Sequence, residues 1–161
     1  MQNIVSPKQR STHIMEIERK FLIEQLPQNL EQHPTIQMEQ GYLSTEPVIR
    51  IRKENDEYVL TYKSKGFLVR EEHNLPLTKE SYEHLKTKID DTLIKKCRHK
   101  IPFTDSLCIE LDVFSGKLAP LMLAEVEFPD LASANAFIAP DWFGKEVTYE
   151  AEYHNNYLCK L

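Results

Sequence analysis

Apolar and charged residues alternate with a period of two along most of this chain, and that alternation limits the folds it can adopt. Successive side chains of a β-strand point to opposite faces, so a period of two predicts a strand. Short turn signals, such as Thr-Glu-Pro at 45–47, separate several of the alternating segments. Many antiparallel strands with few helices favour a closed barrel or a sandwich. The alternating segments are 16–24, 36–43, 48–53, 58–64, 68–77, 93–101, 107–114 and 121–128.

Three segments depart from this alternation and predict helices outside the sheet. In 78–89 apolar residues recur at helical spacing, and Thr78 is placed to cap the first turn. A second helix is predicted over 130–138. The tail, 149–161, is predicted to form a third.

Length and composition bound the class of protein. The 161 residues fit one domain, and we expect a flexible leader over 1–13 and a single domain over 14–161. The formal net charge of −5 argues against a nucleic-acid partner, and the lack of a long apolar run argues against a membrane. Cys97, Cys108 and Cys159 are odd in number and lack metal-site spacing, and the leader does not resemble a signal peptide. We therefore predict reduced thiols and a cytoplasmic location.

Charges of a single sign repeat along one face of several predicted strands. For any one strand, a solvated face opposite a buried face is the simpler interpretation. Like charges along a face are unfavourable, however, unless opposite charges or ions neutralise them. Acidic and basic strands gathered inside one barrel would neutralise each other, with the apolar faces pointing outward. The repeating pairs are Glu16 and Glu18, Arg50 and Arg52, Lys96 and Arg98, Glu110 and Asp112, and Glu125 and Glu127.

A lumen charged in this way favours particular ligands. Several Arg and Lys side chains bind a polyanion, because guanidinium groups contact phosphate oxygens through two parallel hydrogen bonds. Several carboxylates bind hard divalent cations, and oxygen-only ligands favour Mg²⁺. An eight-stranded barrel is just wide enough to hold one small ligand. The charge pattern therefore predicts a metal–polyphosphate site.

The order of the charged residues resembles the CYTH superfamily, also called the triphosphate tunnel metalloenzymes. Glu16-x-Glu18-x-Lys20 is similar to the ExExK signature of that family. The stretches 40–43 and 110–128 further resemble small bacterial tripolyphosphatases of the family. The other matches, in chain order, are Arg50-x-Arg52, Lys63, Arg70 to Glu72, Lys96-x-Arg98, Glu110-x-Asp112 and Glu125-x-Glu127.

The resemblance implies a mainly β (α+β) fold, namely a closed antiparallel eight-stranded β-barrel tunnel with peripheral helices and a C-terminal helix. It also implies hydrolysis of inorganic triphosphate in the tunnel, with Mg²⁺ or Mn²⁺ as the cofactor. The metal ligands that it implies are Glu16, Glu18, Glu72, Asp112, Glu125 and Glu127. The phosphate-binding residues that it implies are Lys20, Arg50, Arg52, Lys63, Arg70, Lys96 and Arg98.

Tyr42 and Lys96 are the catalytic candidates that the resemblance implies. In similar small bacterial members, a tyrosine at the position of Tyr42 is assigned as a proton acceptor. Its ordinary pKa of about 10 makes tyrosine a poor base unless a metal or nearby cations lower that pKa. A wall or hydrogen-bonding role therefore stays open for Tyr42. Trp142, Phe143 and Tyr149 are expected to pack on the barrel exterior.

Several functional alternatives remain open at this point. A class IV-type adenylate cyclase and a thiamine triphosphatase share the ExExK pattern, and a non-catalytic polyphosphate-binding module would share the charged lumen. Tyr62 falls on the opposite face from Lys63, which leaves few aromatic residues for the lumen and favours inorganic triphosphate over nucleotides. The oligomeric state is open, with a homodimer as one alternative.

The tail has two alternative roles. As an amphipathic helix with Tyr153 and Tyr157 on one face, 149–161 would either cap the hydrophobic rim of the barrel or gate the tunnel. Gating is favoured, because a tunnel open at both ends would admit longer polyphosphates.

Overall fold

Eight antiparallel strands close into one barrel in the computed structural model of this protein, which describes residues 12–104 and 106–161. The order around the barrel is β1-β5-β4-β3-β2-β6-β7-β8, and the long first strand closes it by pairing with β5 along its first half and with β8 along its second. The predicted strands are confirmed, and the barrel is the correct alternative. The strands are β1 (Thr12–Leu22), β2 (Thr35–Thr45), β3 (Val48–Glu54), β4 (Glu57–Lys63), β5 (Val69–Pro76), β6 (Ile94–Pro102), β7 (Cys108–Phe114) and β8 (Met122–Glu127).

The charged faces of the strands point inward and the apolar faces point outward, as the sequence predicts. On β1 the inward Glu16 and Lys20 are buried among charges, whereas Ile17 and Phe21 belong to an apolar cluster on the outside. Phe21 packs against Phe143, with 4.9 Å between the ring centroids. The larger of the two apolar clusters therefore lies between the barrel wall and the segments that cover it, rather than inside the barrel.

Two of the predicted helices are present, although both are shorter than predicted. Helix α1 spans Lys79–Lys86, and the Thr78 side chain caps it by accepting a hydrogen bond from the Ser81 amide at 3.1 Å. Helix α2 spans Leu131–Ala136 and is capped in the same way by an aspartate. No helix of the described residues has the length and apolar character needed to cross a membrane.

The prediction of one continuous C-terminal helix over 149–161 is wrong. A 3₁₀ turn at Ala151–Tyr153 is separated from the short helix α3, Asn155–Leu158, by His154, whose backbone is extended at φ −83° and ψ 140°. The His154 ring is tied by a 2.8 Å hydrogen bond to the carbonyl oxygen of Thr148. Because the helix is interrupted here, Leu158 is the buried anchor of the tail, while Tyr157 is 47% exposed.

The limits of the barrel bear on the predicted domain organisation. Strand β1 begins at Thr12, two residues inside the predicted leader, and residues 1–11 lie outside the described part of the chain. The flexible leader and the single domain over 14–161 stay predictions.

Strand β2 carries a β-bulge and a glycine, Gly41, near its middle. The pairing of β2 with β3 shifts between Tyr42 and Ser44, which is a β-bulge. Gly41 faces outward at the point where Ile89 and Leu93 cover the strand, and a Cβ atom at Gly41 would lie 2.2 Å from the Ile89 Cδ1 atom. A glycine fits here because the Ile89 side chain lies against the strand backbone where a Cβ atom would stand.

Replacing this glycine should destabilise the fold. We expect Gly41→Ala to lower the free energy of unfolding by about 1–3 kcal/mol, because the added methyl group displaces Ile89. Adding Ile89→Val, which removes the Cδ1 atom, should restore much of the loss. Urea unfolding of the single and double variants measures both effects. Equal stability of Gly41→Ala and the wild type would contradict the close contact.

Candidate active site

The inward faces of the strands enclose a cavity of about 220 Å³ that is lined mostly by charged side chains. All but one of the predicted site residues line it. The predicted residues that line the cavity are Glu16, Glu18, Lys20, Tyr42, Arg50, Arg52, Lys63, Arg70, Glu72, Lys96, Arg98, Glu125 and Glu127. The exception is Asp112, which is fully buried behind the cavity wall.

One ion-pair cluster centres on Glu16. Its carboxylate lies 2.6 Å from the Lys63 Nζ atom and 3.1 Å from an Arg70 guanidinium nitrogen, and Lys63 also lies 3.0 Å from Glu72. Although burial opposes it, the charges of Lys63 and Arg70 hold the pKa of Glu16 well below its ordinary value. Glu16 is therefore ionised in the folded protein and neutralised by two cations.

A second cluster centres on Arg98. Its guanidinium lies 2.6 Å from Asp112 and 2.7 Å from Glu125, and Glu125 also lies 2.8 Å from Lys20. Lys96 pairs closely with the same Asp112 carboxylate. Both oxygens of Asp112 are thus occupied by cations, and the side chain is shielded from the cavity. This geometry makes Asp112 a support for Lys96 and Arg98, and its predicted role as a metal ligand stays a prediction.

Cations are in excess on the wall formed by β3, β2 and β6, where β3 and β6 carry the charges. Arg50 is 5% exposed, and its Nε atom has no hydrogen-bond partner among the described residues. Burial and the nearby charges of Arg50 and Arg98 lower the pKa of Arg52, and burial together with Arg98 also lowers the pKa of Lys96. Buried cations that repel one another and leave donors unpaired form a site for an anion.

Carboxylates are in excess where β1 meets β8. Glu18 and Glu127 stand directly opposite each other on the two strands, and the cation closest to Glu18 is Lys20 at 3.8 Å. Burial and the carboxylates of Glu125 and Glu16 raise the pKa of Glu18 to about 7. Desolvation and the same Glu16 also raise the pKa of Glu127. Like charges opposed across a strand pair are unfavourable, so these two side chains present a site for a cation.

Tyr42 lies at the inner end of the cavity and is 3% exposed. The Gln40 amide donates a hydrogen bond to its hydroxyl oxygen at 3.3 Å, and the Arg50 charge lies close by. Burial raises the pKa of Tyr42 despite the opposing effect of Arg50. The raised pKa favours the hydrogen-bonding role of Tyr42 over that of a proton acceptor.

The structure also brings to the cavity residues that the sequence analysis did not select. Glu54 and Lys100 simply continue the alternation of β3 and β6, so the same pattern could have identified them. Gln40 shares its face with Tyr42, two residues away. No charge signal marks the residues from the tail. The added residues are Gln40, Glu54, Lys100, His154, Asn155 and Asn156, and Glu110, which the sequence analysis places on an inward face, lines the cavity as well.

The tail lies at the end of the lumen where the inward faces become apolar. Val48, Phe114 and Leu123 continue the inward faces of their strands, and Leu158 of the tail packs with them in one buried cluster. His154 lines the cavity just above this cluster. The tail thus contributes to the inner end of the cavity, whereas gating by the tail stays a prediction.

The outward predictions hold, although the side chains differ in burial. Phe143 packs on the exterior against Phe21, and Trp142 lies against Phe143 with 4.6 Å between the ring centroids. Tyr62 also points away from the lumen and lies against His73. Tyr149 lies outside the cavity with its ring centroid 6.4 Å from that of Phe67, and its side chain is 63% exposed.

A closed eight-stranded barrel with a lumen of buried acidic and basic side chains defines the structural class of this protein. The CYTH domain matches residues 15–137, and the chain belongs to the CYTH family. The inorganic triphosphatase of Nitrosomonas europaea is 41% identical over 147 residues, which are 89% of this chain and 96% of that protein. The inorganic triphosphatase of Acetivibrio thermocellus is 36% identical over 126 residues, which are 75% of this chain and 78% of that protein. A crystal structure of an inorganic triphosphatase superposes with a TM-score of 0.67 at 37% identity, covering 89% of this chain and 93% of the other.

The buried imidazole of His154 should make the stability of the protein pH-dependent. Burial and the charges of Lys20 and Arg70 lower the pKa of His154 from 6.5 to about 4. The unfolded chain therefore binds a proton near pH 6 that the folded chain does not bind, so stability falls as the pH falls through this window. Between pH 7 and pH 5 we expect His154 to account for a loss of about 1–2 kcal/mol.

Urea unfolding of His154→Gln at both pH values tests this expectation. The variant keeps a side-chain donor for the Thr148 carbonyl but cannot titrate, so its stability should depend less on pH. The exposed His84 offers a matched control, and His84→Gln should keep the wild-type dependence. An unchanged pH dependence in His154→Gln would show that this imidazole titrates normally in the fold.

Proposed function

We propose that this protein hydrolyses inorganic triphosphate inside the barrel, releasing one terminal phosphoryl group as orthophosphate, with the help of a divalent metal ion. Membership of the CYTH family supports the proposal, as do relatives that are inorganic triphosphatases over nearly the whole chain. The observation that carries it is the side-by-side surplus of cations and carboxylates in one cavity. An anion that chelates a metal satisfies both surpluses at once.

The proposed phosphate-binding residues divide into two kinds. Arg50 has an Nε atom that is unpaired among the described residues, and burial with neighbouring cations lowers the pKa of Arg52 and of Lys96 although these two pair with Glu54 and Asp112, so we expect these three to contact the triphosphate most strongly. The other cations also pair with carboxylates and would have to share their charge with the ligand. These are Lys20, Lys63, Arg70 and Arg98. In this role Lys96 would contact a reacting phosphoryl oxygen, and Tyr42 would donate a hydrogen bond.

Glu18 and Glu127 are the residues that we expect to hold the metal, with Glu16, Glu72 and Glu125 beside them. Among residues 12–104 and 106–161, no three His, Cys, Asp or Glu side chains are grouped as one metal-ligand set. Mg²⁺ is usually bound by one or two carboxylates together with water and substrate phosphates, so two opposed glutamates fit it. When bound, such an ion offsets charge on the phosphates. Triphosphatases of this family are metal-dependent; Mg²⁺, with Mn²⁺ as the substitute, is our proposal.

The lining of the cavity favours an inorganic chain over a nucleotide or thiamine triphosphate. Its aromatic side chains in the described residues are Tyr42 and His154, and both lie at the inner end. Neither offers an open ring face to an organic base, because Tyr42 is packed among buried apolar residues. A cytoplasmic location and a homodimer stay predictions from the sequence.

Arg50 provides the sharpest test of the anion site. Arg50→Gln removes the cation whose Nε atom has no hydrogen-bond partner among the described residues. We expect kcat/KM for tripolyphosphate with Mg²⁺ to fall at least about tenfold. Lys53→Gln removes a cation from the same strand but from its outer face, and it should leave kcat/KM within about twofold. Phosphate release from tripolyphosphate, ATP and thiamine triphosphate, measured in parallel, identifies the substrate.

Three outcomes would contradict the proposal in different ways. Equal effects of Arg50→Gln and Lys53→Gln would exclude the lumen as the anion site. Faster turnover of ATP or thiamine triphosphate would favour the other enzymes that share the ExExK pattern. Metal-dependent binding of tripolyphosphate without phosphate release would favour a non-catalytic binding module.

Glu18→Gln should raise the stability of the metal-free protein and lower its activity. Because the pKa of Glu18 in the folded protein is about 7 rather than 4.5, its ionisation disfavours folding as the pH rises through this range. At pH 8 without divalent metal, Glu18→Gln should therefore unfold at a higher temperature than the wild type. With Mg²⁺ the wild type should gain more stability than the variant, and the variant should lose at least about tenfold in activity.

Thermal unfolding with and without Mg²⁺ measures the first two effects, and phosphate release measures the third. Glu24→Gln changes an exposed carboxylate just beyond β1 and should shift neither quantity. A Glu18→Gln variant that is less stable than the wild type without metal would exclude the expected repulsion at this position.

A further inference from the structure

Gln40 is fully buried and forms part of the wall of the cavity. It lies on the inward face of β2, opposite Arg52 on β3 and Ile94 on β6. Its exposed fraction is 0%, yet it lines the charged cavity. A neutral amide at this position is unusual among the charges that surround it, and charge balance alone does not explain it.

The two polar atoms of the Gln40 amide have different environments. The Nε2 atom donates a hydrogen bond to the Tyr42 hydroxyl oxygen at 3.3 Å. The Oε1 atom has no hydrogen-bond partner within the described part of the chain. A buried carbonyl oxygen left unpaired costs about 1–3 kcal/mol, so a ligand that pairs with it gains that amount. The amide is thus anchored through Nε2, while its buried Oε1 atom is left unpaired among the described residues.

The chemistry of the lumen limits what can pair with this oxygen. Carboxylates and fully ionised phosphate oxygens only accept hydrogen bonds, so neither pairs with a carbonyl oxygen. A metal ion is disfavoured, because Arg52 and Arg50 lie on the strand that pairs with β2 on this side. Water does carry donors, and water is the second substrate of a hydrolase.

We propose that Gln40 positions the water molecule that attacks the terminal phosphorus of the triphosphate. This inference rests on the proposed function. Gln40 Oε1 accepts a hydrogen bond from the water, while the bond to Tyr42 fixes the orientation of the amide. The water oxygen is then held beside the phosphoryl group bound by the Arg50 and Arg52 wall. A residue that orients water in this way acts by restricting the approach of the nucleophile.

The step balances without a strong base. The water oxygen forms a bond to the terminal phosphorus, and the bridging P–O bond breaks with its electron pair retained by the leaving pyrophosphate. One water proton remains on the attacking oxygen, and the other passes to a non-bridging oxygen of the transferred group. Tripolyphosphate and water thus become pyrophosphate and dihydrogen orthophosphate. A neutral amide suits this route because it orients the water without removing a proton, and the raised pKa of Tyr42 is consistent with the same route.

Two substitutions at Gln40 separate this role from its alternatives. Gln40→Leu keeps the size but removes the acceptor, so kcat should fall at least about tenfold while KM stays within about threefold. Gln40→Glu keeps an acceptor oxygen and adds a negative charge near the triphosphate. Its kcat should stay within about fivefold of the wild type, while KM rises at least about fivefold. The Mg²⁺ concentration for half-maximal activity should be unchanged in Gln40→Leu.

Gln37→Leu is the matched control, because Gln37 lies on the same strand with its side chain on the exposed outer face. It should leave kcat and KM unchanged. Titration calorimetry with a non-hydrolysable imido analogue of tripolyphosphate, together with circular dichroism, verifies that the Gln40 variants fold and bind. Should Gln40→Leu fail to fold, the kcat of Gln40→Glu decides the question.

The outcomes distinguish a failure of the proposed triphosphatase function from a failure of the role proposed for Gln40. A wild-type protein that binds the analogue but releases no phosphate would overturn both the proposed function and the role of Gln40. With an active wild type, an unchanged kcat in Gln40→Leu would overturn the role of Gln40 alone. A rise in KM without a fall in kcat in Gln40→Leu would show that the amide binds phosphate instead. A loss of kcat in Gln40→Glu as large as in Gln40→Leu would also contradict the role of the acceptor.

Discussion

Neutralisation of charge inside the barrel is the constraint on which the rest of this structure depends. The inward faces of the strands carry arrays of a single sign, and several of them are tolerable because a neighbouring strand supplies the opposite sign. Lys20 on β1 meets Glu125 on β8, and Arg98 on β6 meets Asp112 on β7. Closure of the sheet is therefore favourable for the charges as well as for the backbone hydrogen bonds. Opening the barrel between β1 and β8 would leave Lys20 and Glu125 without each other.

Positive and negative charges are not balanced in every part of the lumen. Burial and the neighbouring charges of Arg50 and Arg98 lower the pKa of Arg52 on one side, while burial and nearby carboxylates raise the pKa of Glu18 and of Glu127 on another. Each group of like charges is unfavourable by itself and becomes favourable beside a ligand of opposite sign. A triphosphate with a divalent cation matches both surpluses. Binding and catalysis then draw on the same stored repulsion, since the charges are already in place around the ligand.

The barrel could be predicted from the sequence, because a side-chain period of two gives each strand an inward and an outward face. The charged residues of the lumen could be predicted as well, since each follows from its position in the alternation. The sequence did not separate Asp112, which is sealed behind Lys96 and Arg98, from the carboxylates that face the cavity. That difference depends on side-chain packing, which the alternation does not encode.

The tail and Gln40 show a second limit of the sequence analysis. The helical spacing of apolar residues over 149–161 did not indicate the extended backbone at His154. The His154 ring is held by a hydrogen bond to the carbonyl oxygen of Thr148. Gln40 carries no charge and therefore stood outside a pattern built on charges. Its significance becomes visible only when the unpaired oxygen and the bond to Tyr42 are known.

Anomalous diffraction from crystals containing Mn²⁺ and a non-hydrolysable tripolyphosphate analogue tests the central claim most directly. The account predicts a manganese peak between the carboxylates of Glu18 and Glu127 and phosphate density against Arg50 and Arg52. Manganese bound elsewhere, or an analogue bound outside the barrel, would contradict the claim that this lumen holds anion and cation together.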